Sequence, residues 1–86
     1  MQIQANNDSY RRLAWQCRRG MRELDELLTG FLTRGYAGLD ADGRAAFDTL
    51  LAYPDAVLLE LLMGRMTPAD KDAAGIVRAI RNTAAV

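Results

Sequence analysis

An all-α fold, one small bundle of five helices, is what this sequence predicts, and three observations carry that reading. Apolar residues recur at spacings of three and four: Tyr10, Ala14, Cys17, Met21, Leu24, Leu28 and Phe31 early, then Ala73, Ile76, Val77 and Ile80 late. No segment alternates apolar and polar residues as a half-buried strand does. Glycines and prolines punctuate the periodic stretches at Gly20, Gly35, Pro54, Gly64 and Pro68.

The first seven residues read as a flexible polar leader, after which Asp8 or Ser9 can cap a first helix. The apolar period continues unbroken from Tyr10 to Phe31, widened by Leu13, Leu27 and Leu32, although Gly20 lies in its middle. A compact chain of this length has a radius of gyration near ~12 Å and a diameter of roughly 30 Å. One helix from Tyr10 to Thr33 would be about 36 Å long. A break at Gly20 is therefore expected, with the glycine in the left-handed conformation that closes a helix.

The second helix is expected from Met21 to Thr33, ended by Gly35, with Tyr36 folding back onto the core. Asp40 caps a third helix that buries Ala46, Phe47, Leu50 and Leu51, and Pro54 stops it. Asp55 can cap a fourth, Ala56 to Met63, whose only polar residue is Glu60; so apolar a helix belongs at the centre of the bundle. Gly64 ends it. Thr67-Pro68-Ala69-Asp70 opens the fifth as cap, first-turn proline and acid, with Arg78 and Arg81 near its far end.

Size and composition bound the function. The 86 residues, half of them hydrophobic and 26% charged, suffice for a single domain over 1–86 with one core. Eleven basic and eleven acidic residues cancel, which argues against a general polyanion binder. The distribution is uneven, however: Arg11, Arg12, Arg18, Arg19 and Arg22 crowd the first quarter, and the acids gather from Glu23, Asp25 and Glu26 onward. Cys17 is the only cysteine, so no intrachain disulfide, zinc cluster or redox pair can be built, and a reducing compartment is expected. The absence of histidine removes the commonest general base and metal ligand. No apolar run reaches the roughly 18 to 20 residues of a membrane span, and no secretory leader is visible; a cytoplasmic protein is expected.

The stretch Arg18-Arg19-Gly20-Met21-Arg22-Glu23-Leu24-Asp25 is the unusual one. Taken alone, Arg19 and Glu23 would be an exposed i, i+4 pair contributing ~0.3 to 0.5 kcal/mol. Cys17 lies on the apolar stripe and reads as a small core hydrophobe. Trp15 lies off that stripe, so it either covers a flank of the bundle or anchors a partner. Tyr10, Met21, Phe31 and Met63 read as core, with Met21 able to serve an interface as well.

With Trp15-Gln16-Cys17 before it, this run closely resembles the signature of the SdhE family, bacterial FAD assembly factors whose mitochondrial relatives are called succinate dehydrogenase assembly factor 2. The resemblance continues through a Tyr-x-x-Leu-Asp turn at Tyr36 to Asp40, the Phe47 to Leu51 helix, Pro54-Asp55 before a leucine-rich helix, and the last helix. Family members often carry an aromatic near Leu61 and an acid near Gly43; Leu61 keeps the core apolar, and Gly43 weakens a helix start.

The resemblance implies a five-helix, non-enzymatic factor that binds the flavoprotein subunit of succinate dehydrogenase, and that of fumarate reductase where present. It promotes covalent attachment of FAD to a histidine of that subunit. Arg19, Gly20 and Glu23 fall on the family's Arg-Gly-x-x-Glu motif, and the implied partner-binding surface takes in Arg18, Met21, Arg22 and Trp15 beside them. The chain is expected to hold no cofactor or metal stably, FAD being attached to the partner, and to be a monomer when free. Its lack of any histidine or Gly-x-Gly-x-x-Gly turn agrees with that role. A small nucleic-acid-binding module, with the arginines facing phosphates, or an antitoxin-like helical partner are the alternatives. An enzyme is least favoured, since no nucleophile and base stand at a useful spacing.

Overall fold

Helix α1 runs Ile3–Gln16, α2 Arg22–Arg34, α3 Ala41–Leu51, α4 Asp55–Leu62 and α5 Lys71–Ala85, with a 3-10 turn at Tyr36–Gly38 between α2 and α3. The computed structural model describes the backbone of residues 3–85 and the side chains of residues 8–84, and no strand occurs among them. The all-α reading is correct.

Helix α2 occupies the middle, packing on α1, α4, α5 and the 3-10 turn, while α5 also covers α3 and α4. Its buried residues Leu24, Leu28, Phe31 and Leu32 form the i, i+4, i+7, i+8 stripe that the sequence spacing requires. Against them lie Leu13 and Cys17, then Phe47, Leu50 and Leu51 of α3, Leu58, Leu61 and Leu62 of α4, and Ile76, Val77 and Ile80 of α5. Burying each such leucine or phenylalanine stabilises by about 1.5–3 kcal/mol. Among the described residues no polar or charged one is buried with them. The apolar composition of α4 predicted the central place for that helix. The middle belongs to α2 instead: α4 packs mainly on α2 and α5, and its Val57 and Leu59 stay only half-buried.

Several boundaries differ from expectation. Helix α1 begins at Ile3, so Asp8 and Ser9 lie within it and cap nothing, and residues 3–7 are helical in their backbone; Met1 and Gln2 of the expected leader lie outside the described residues. At its other end α1 stops at Gln16, and Gly20, at φ +88°, is the left-handed residue of a linker and does not close the helix itself. Gly35 does end α2, its N–H donating to Phe31 O at 2.7 Å, but at φ −122°. Space, not backbone angle, calls for glycine there, because a Cβ would stand 2.5 Å from Cε1 of Phe31. Tyr10 and Met63, read as core, are exposed.

Other elements fall as the residues dictate. Tyr36 folds back, its ring 5.6 Å from Phe47, itself 5.5 Å from Phe31, and Arg44 lies 5.1 Å over the Tyr36 ring. Asp40 caps α3 by accepting from Gly43 N–H at 2.8 Å. Gly64, at φ +80°, closes α4 in a Schellman turn: Gly64 N–H donates to Leu61 O and Arg65 N–H to Glu60 O. Helix α5 starts three residues later than the Thr67-Pro68 signal suggested, since Asp70 accepts from Ala73 N–H at 2.9 Å and so takes the cap. Among the described residues no helix is long and apolar enough to cross a membrane.

Candidate functional site

The five residues Cys17 to Met21 join α1 to α2 as a corner. Cys17 N–H still reaches Leu13 O, and Arg18 N–H donates three residues back to Trp15 O in a 3-10-type turn, after which the helix is spent. Nothing caps α2 locally, for Met21 occupies the cap position in extended conformation and offers no side-chain acceptor. Asp25, one turn into α2, reaches back instead and accepts from Arg19 N–H at 2.6 Å.

Arg19 turns inward. Its Nε donates to Asp55 Oδ1 at 2.7 Å, Nη1 to the carbonyls of Gln16 and Leu51, both at 2.9 Å, and Nη2 to Tyr53 O at 3.0 Å. A guanidinium has five N–H groups, so a single one remains for any other acceptor. Only 16% of the side chain is exposed. Leu51 is the last residue of α3, whose free carbonyls and dipole favour a cation, and Asp55 is the first residue of α4, where an anion is favoured. Asp55 was expected to cap α4; Pro54 holds the cap position, and the Asp55 carboxylate serves Arg19.

The other motif residues face outward. Trp15 is 76% exposed and so does not cover a flank of the bundle. Arg18, Gly20, Arg22 and Glu23 are exposed, and Met21 is half-buried against the core. A Cβ placed on Gly20 would meet nothing within 4 Å, so the corner is open to close approach. Arg22 pairs loosely with Glu26 at 4.0 Å, while the Arg19 side chain bonds Asp55 rather than Glu23. From Glu23 an open groove runs past Glu26 and Leu27 to Arg34 and Met63.

The corner therefore offers a flat indole, charged side chains of both signs and bare backbone at Gly20. Cys17 beneath it is fully buried, and burial pushes its thiol up to about 11, partly opposed by the Arg19 charge. It is no nucleophile at neutral pH. Among the described residues no three Asp, Glu or Cys side chains converge in a way that could hold a metal ion. The residues that sequence reasoning missed are those that hold the corner: Asp25 and Asp55, with the carbonyls of Leu51 and Tyr53. Backbone acceptors leave no sequence signal, whereas the Pro54-Asp55 step was visible but read as a cap.

Residues 11–84, which include the whole corner, match the family model described as Sdh5, flavinator of succinate dehydrogenase. The chain belongs to the Sdh5 family. Among curated Sdh5 relatives, the FAD assembly factor SdhE of Pseudomonas aeruginosa is 42% identical over 76 residues, 88% of this chain and 90% of that protein. The FAD assembly factor SdhE of Legionella pneumophila strain Paris is 43% identical over 77 residues, 90% of this chain and 96% of the relative. That of Coxiella burnetii is 37% identical over 71 residues, 83% and 87% of the two chains. Both the Sdh5 model and these relatives thus cover nearly the full length described, and the resemblance read from Arg18 to Asp25 is a family membership.

Proposed function

We propose that this chain is an FAD assembly factor that binds the flavoprotein subunit of succinate dehydrogenase, and that of fumarate reductase where present, and promotes covalent attachment of FAD to a histidine of that subunit. Kinship with the FAD assembly factors supports the activity. The observation that carries the mechanism is the corner, where Arg18 and Gly20 of the linker lie open beside Trp15 at the end of α1 and Arg22 and Glu23 at the start of α2, the linker being held from beneath by Arg19.

The factor works by differential binding. It holds the flavoprotein in the conformation that brings the acceptor histidine and FAD together, and it shifts the population only as far as it binds that conformation more tightly than the others. Attachment is then accelerated by proximity. The chain contains no histidine, and its one thiol is buried, so it contributes shape and charge rather than an acid, a base or a nucleophile. Trp15 supplies apolar contact area, Arg18, Arg22 and Glu23 supply charge-assisted hydrogen bonds, and Gly20 admits the client's backbone. Arg19, with one free N–H, serves chiefly to hold the corner in place. The factor acts in the cytoplasm as a monomer that pairs one to one with its client and keeps no FAD.

The test is covalent flavin fluorescence of the flavoprotein band on a denaturing gel, with matched expression and FAD supply. The band should brighten with the factor and stay dark with its Gly20→Arg variant, which fills the open corner without touching the core. An equally bright band without the factor would overturn the proposal.

A further inference from the structure

We infer that Asp55 is a positioning residue for client binding: acting through Arg19, it seats the α1–α2 corner on the α3–α4 turn in the shape the flavoprotein reads. The inference rests on the proposed client-binding role of the corner, and it adds a residue that lies outside the motif, 36 positions further along the chain.

The linker Cys17–Met21 has little of its own to fix it. It is not helical, it contains a glycine at positive φ, and the helix that follows has no side-chain cap at Met21. Its ends are anchored by the buried Cys17 and by Met21 packed on the core, and between them two attachments fix Arg19 and Gly20: Arg19 N–H on Asp25 and the Arg19 side chain on the turn between α3 and α4. The second is the long-range one. Its carbonyl acceptors at Leu51 and Tyr53 belong to the backbone and are present whatever the sequence, so Asp55 is the only one of its partners that a side-chain change can remove. As the sole anion on the guanidinium, Asp55 aligns Nε and thereby points both Nη groups at the carbonyls. Without it the fork can swing toward solvent, and Arg18 and Gly20, its neighbours in the chain, move with it. An Asp55 variant leaves Arg19 without its counter-charge, but the guanidinium keeps its three carbonyl acceptors and 16% of its side chain is exposed, so no fully buried, unsatisfied charge results and the bundle should persist.

The experiment measures, by calorimetry, the affinity of the isolated flavoprotein subunit for wild type, Asp55→Ala, Asp55→Asn, Arg19→Gln and the Asp55→Ala/Arg19→Gln double variant. Hydrogen exchange at the Arg19 and Gly20 amides is followed in the free proteins. Asp55→Ala should weaken binding about tenfold, the worth of a charged hydrogen bond, and speed exchange at both amides. Asp55→Asn keeps a neutral acceptor for Nε and should lose only about threefold; should Asp55→Ala fail to fold, this variant bears the test. The double variant should bind as weakly as Arg19→Gln alone, because Asp55 acts only through Arg19.

Additive losses would show that Asp55 touches the client itself and would overturn the inference. Faster exchange with unchanged affinity would overturn it as well, and so would weaker binding with unchanged exchange. Failure of the underlying reading is distinguishable: Gly20→Arg would then bind at full affinity whatever Asp55 does, whereas a dead Gly20→Arg beside neutral Asp55 variants sinks the positioning role alone.

Discussion

Arg19 and Asp55 form an ion pair 2.7 Å long that ties the corner between the first two helices to the start of α4. The pair is largely shielded on the arginine side, and the same guanidinium satisfies carbonyls of Gln16, Leu51 and Tyr53. Arg19→Ala removes all four bonds and leaves Asp55 without a counter-charge. Because Asp55 is partly solvated, the loss should fall below that of a fully buried pair, about 2 kcal/mol. For a domain of this size that is a fall in Tm of roughly 8–16 °C. Arg19→Lys keeps the charge but not the planar fork, and should lose roughly half as much. Scanning calorimetry of the two variants checks both values, and an unchanged Tm in Arg19→Ala would mean that the geometry of the corner contributes nothing to stability.

Cys17 predicts a pH limit. Burial raises its thiol from 9.0 to about 11, so the folded state resists forming the thiolate that the unfolded chain forms more readily. A folded value above the unfolded one means that the contribution is fully present below pH 9 and is lost progressively as pH rises from about 9 to about 11. Urea midpoints should therefore decline over that interval in wild type and decline less in Cys17→Ala, compared with each protein's own value at pH 7. Native protein at pH 8 should also resist thiol alkylation until denaturant is added.

Three glycines should respond to alanine with different signs. Gly75 sits exposed inside α5 with nothing near its missing Cβ, and Gly75→Ala should stabilise by about 0.5–1 kcal/mol through helix propensity. Gly20 has equally open surroundings but φ +88°, and Gly20→Ala should destabilise by about 1–2 kcal/mol from backbone strain alone. At Gly35 the Cβ would run into the Phe31 ring, which is part of the core, and Gly35→Ala should lose about 1–3 kcal/mol by overpacking. Equilibrium urea unfolding separates the three cases.

Helix number, order and most core positions were legible because a buried helix face must repeat at 3.6 residues, and Leu24, Leu28, Phe31, Phe47, Leu50 and Ile80 do so. Ends were less legible. Ile3 to Asn7 carry no apolar period, but a helix once nucleated by packing at Leu13 gains a hydrogen bond for each residue added. The size argument predicted a break at the right place for an insufficient reason: the radius of gyration is 12.4 Å, yet the long axis is 43 Å and would accommodate an unbroken helix. Gly20 and the bonds of Arg19 mark the break instead. In the candidate site, the motif residues could be named from their chemistry. The inward turn of Arg19 could not, since three of its four acceptors are main-chain carbonyls that any residue would present.

Trp15 is the chain's only tryptophan and, at 76% exposure, the most exposed large apolar side chain among the described residues. Little of its surface is buried by the bundle, so Trp15→Ala should change stability by no more than about 0.5 kcal/mol. If the corner meets the client as proposed, a mostly solvated indole there gains its burial on binding, and aromatic anchors of that kind carry a large share of interface energy. The variant should therefore bind the flavoprotein subunit at least about tenfold more weakly, a loss of 1.4 kcal/mol or more. Wild-type fluorescence offers an independent check, given a tryptophan-free form of the client. Emission of the free protein should be that of a water-exposed indole and should shift to shorter wavelength as the complex forms. A Trp15→Ala protein that binds normally, together with a spectrum unchanged by the client, would place Trp15 outside the interface and leave Gly20 and Glu23 to define it.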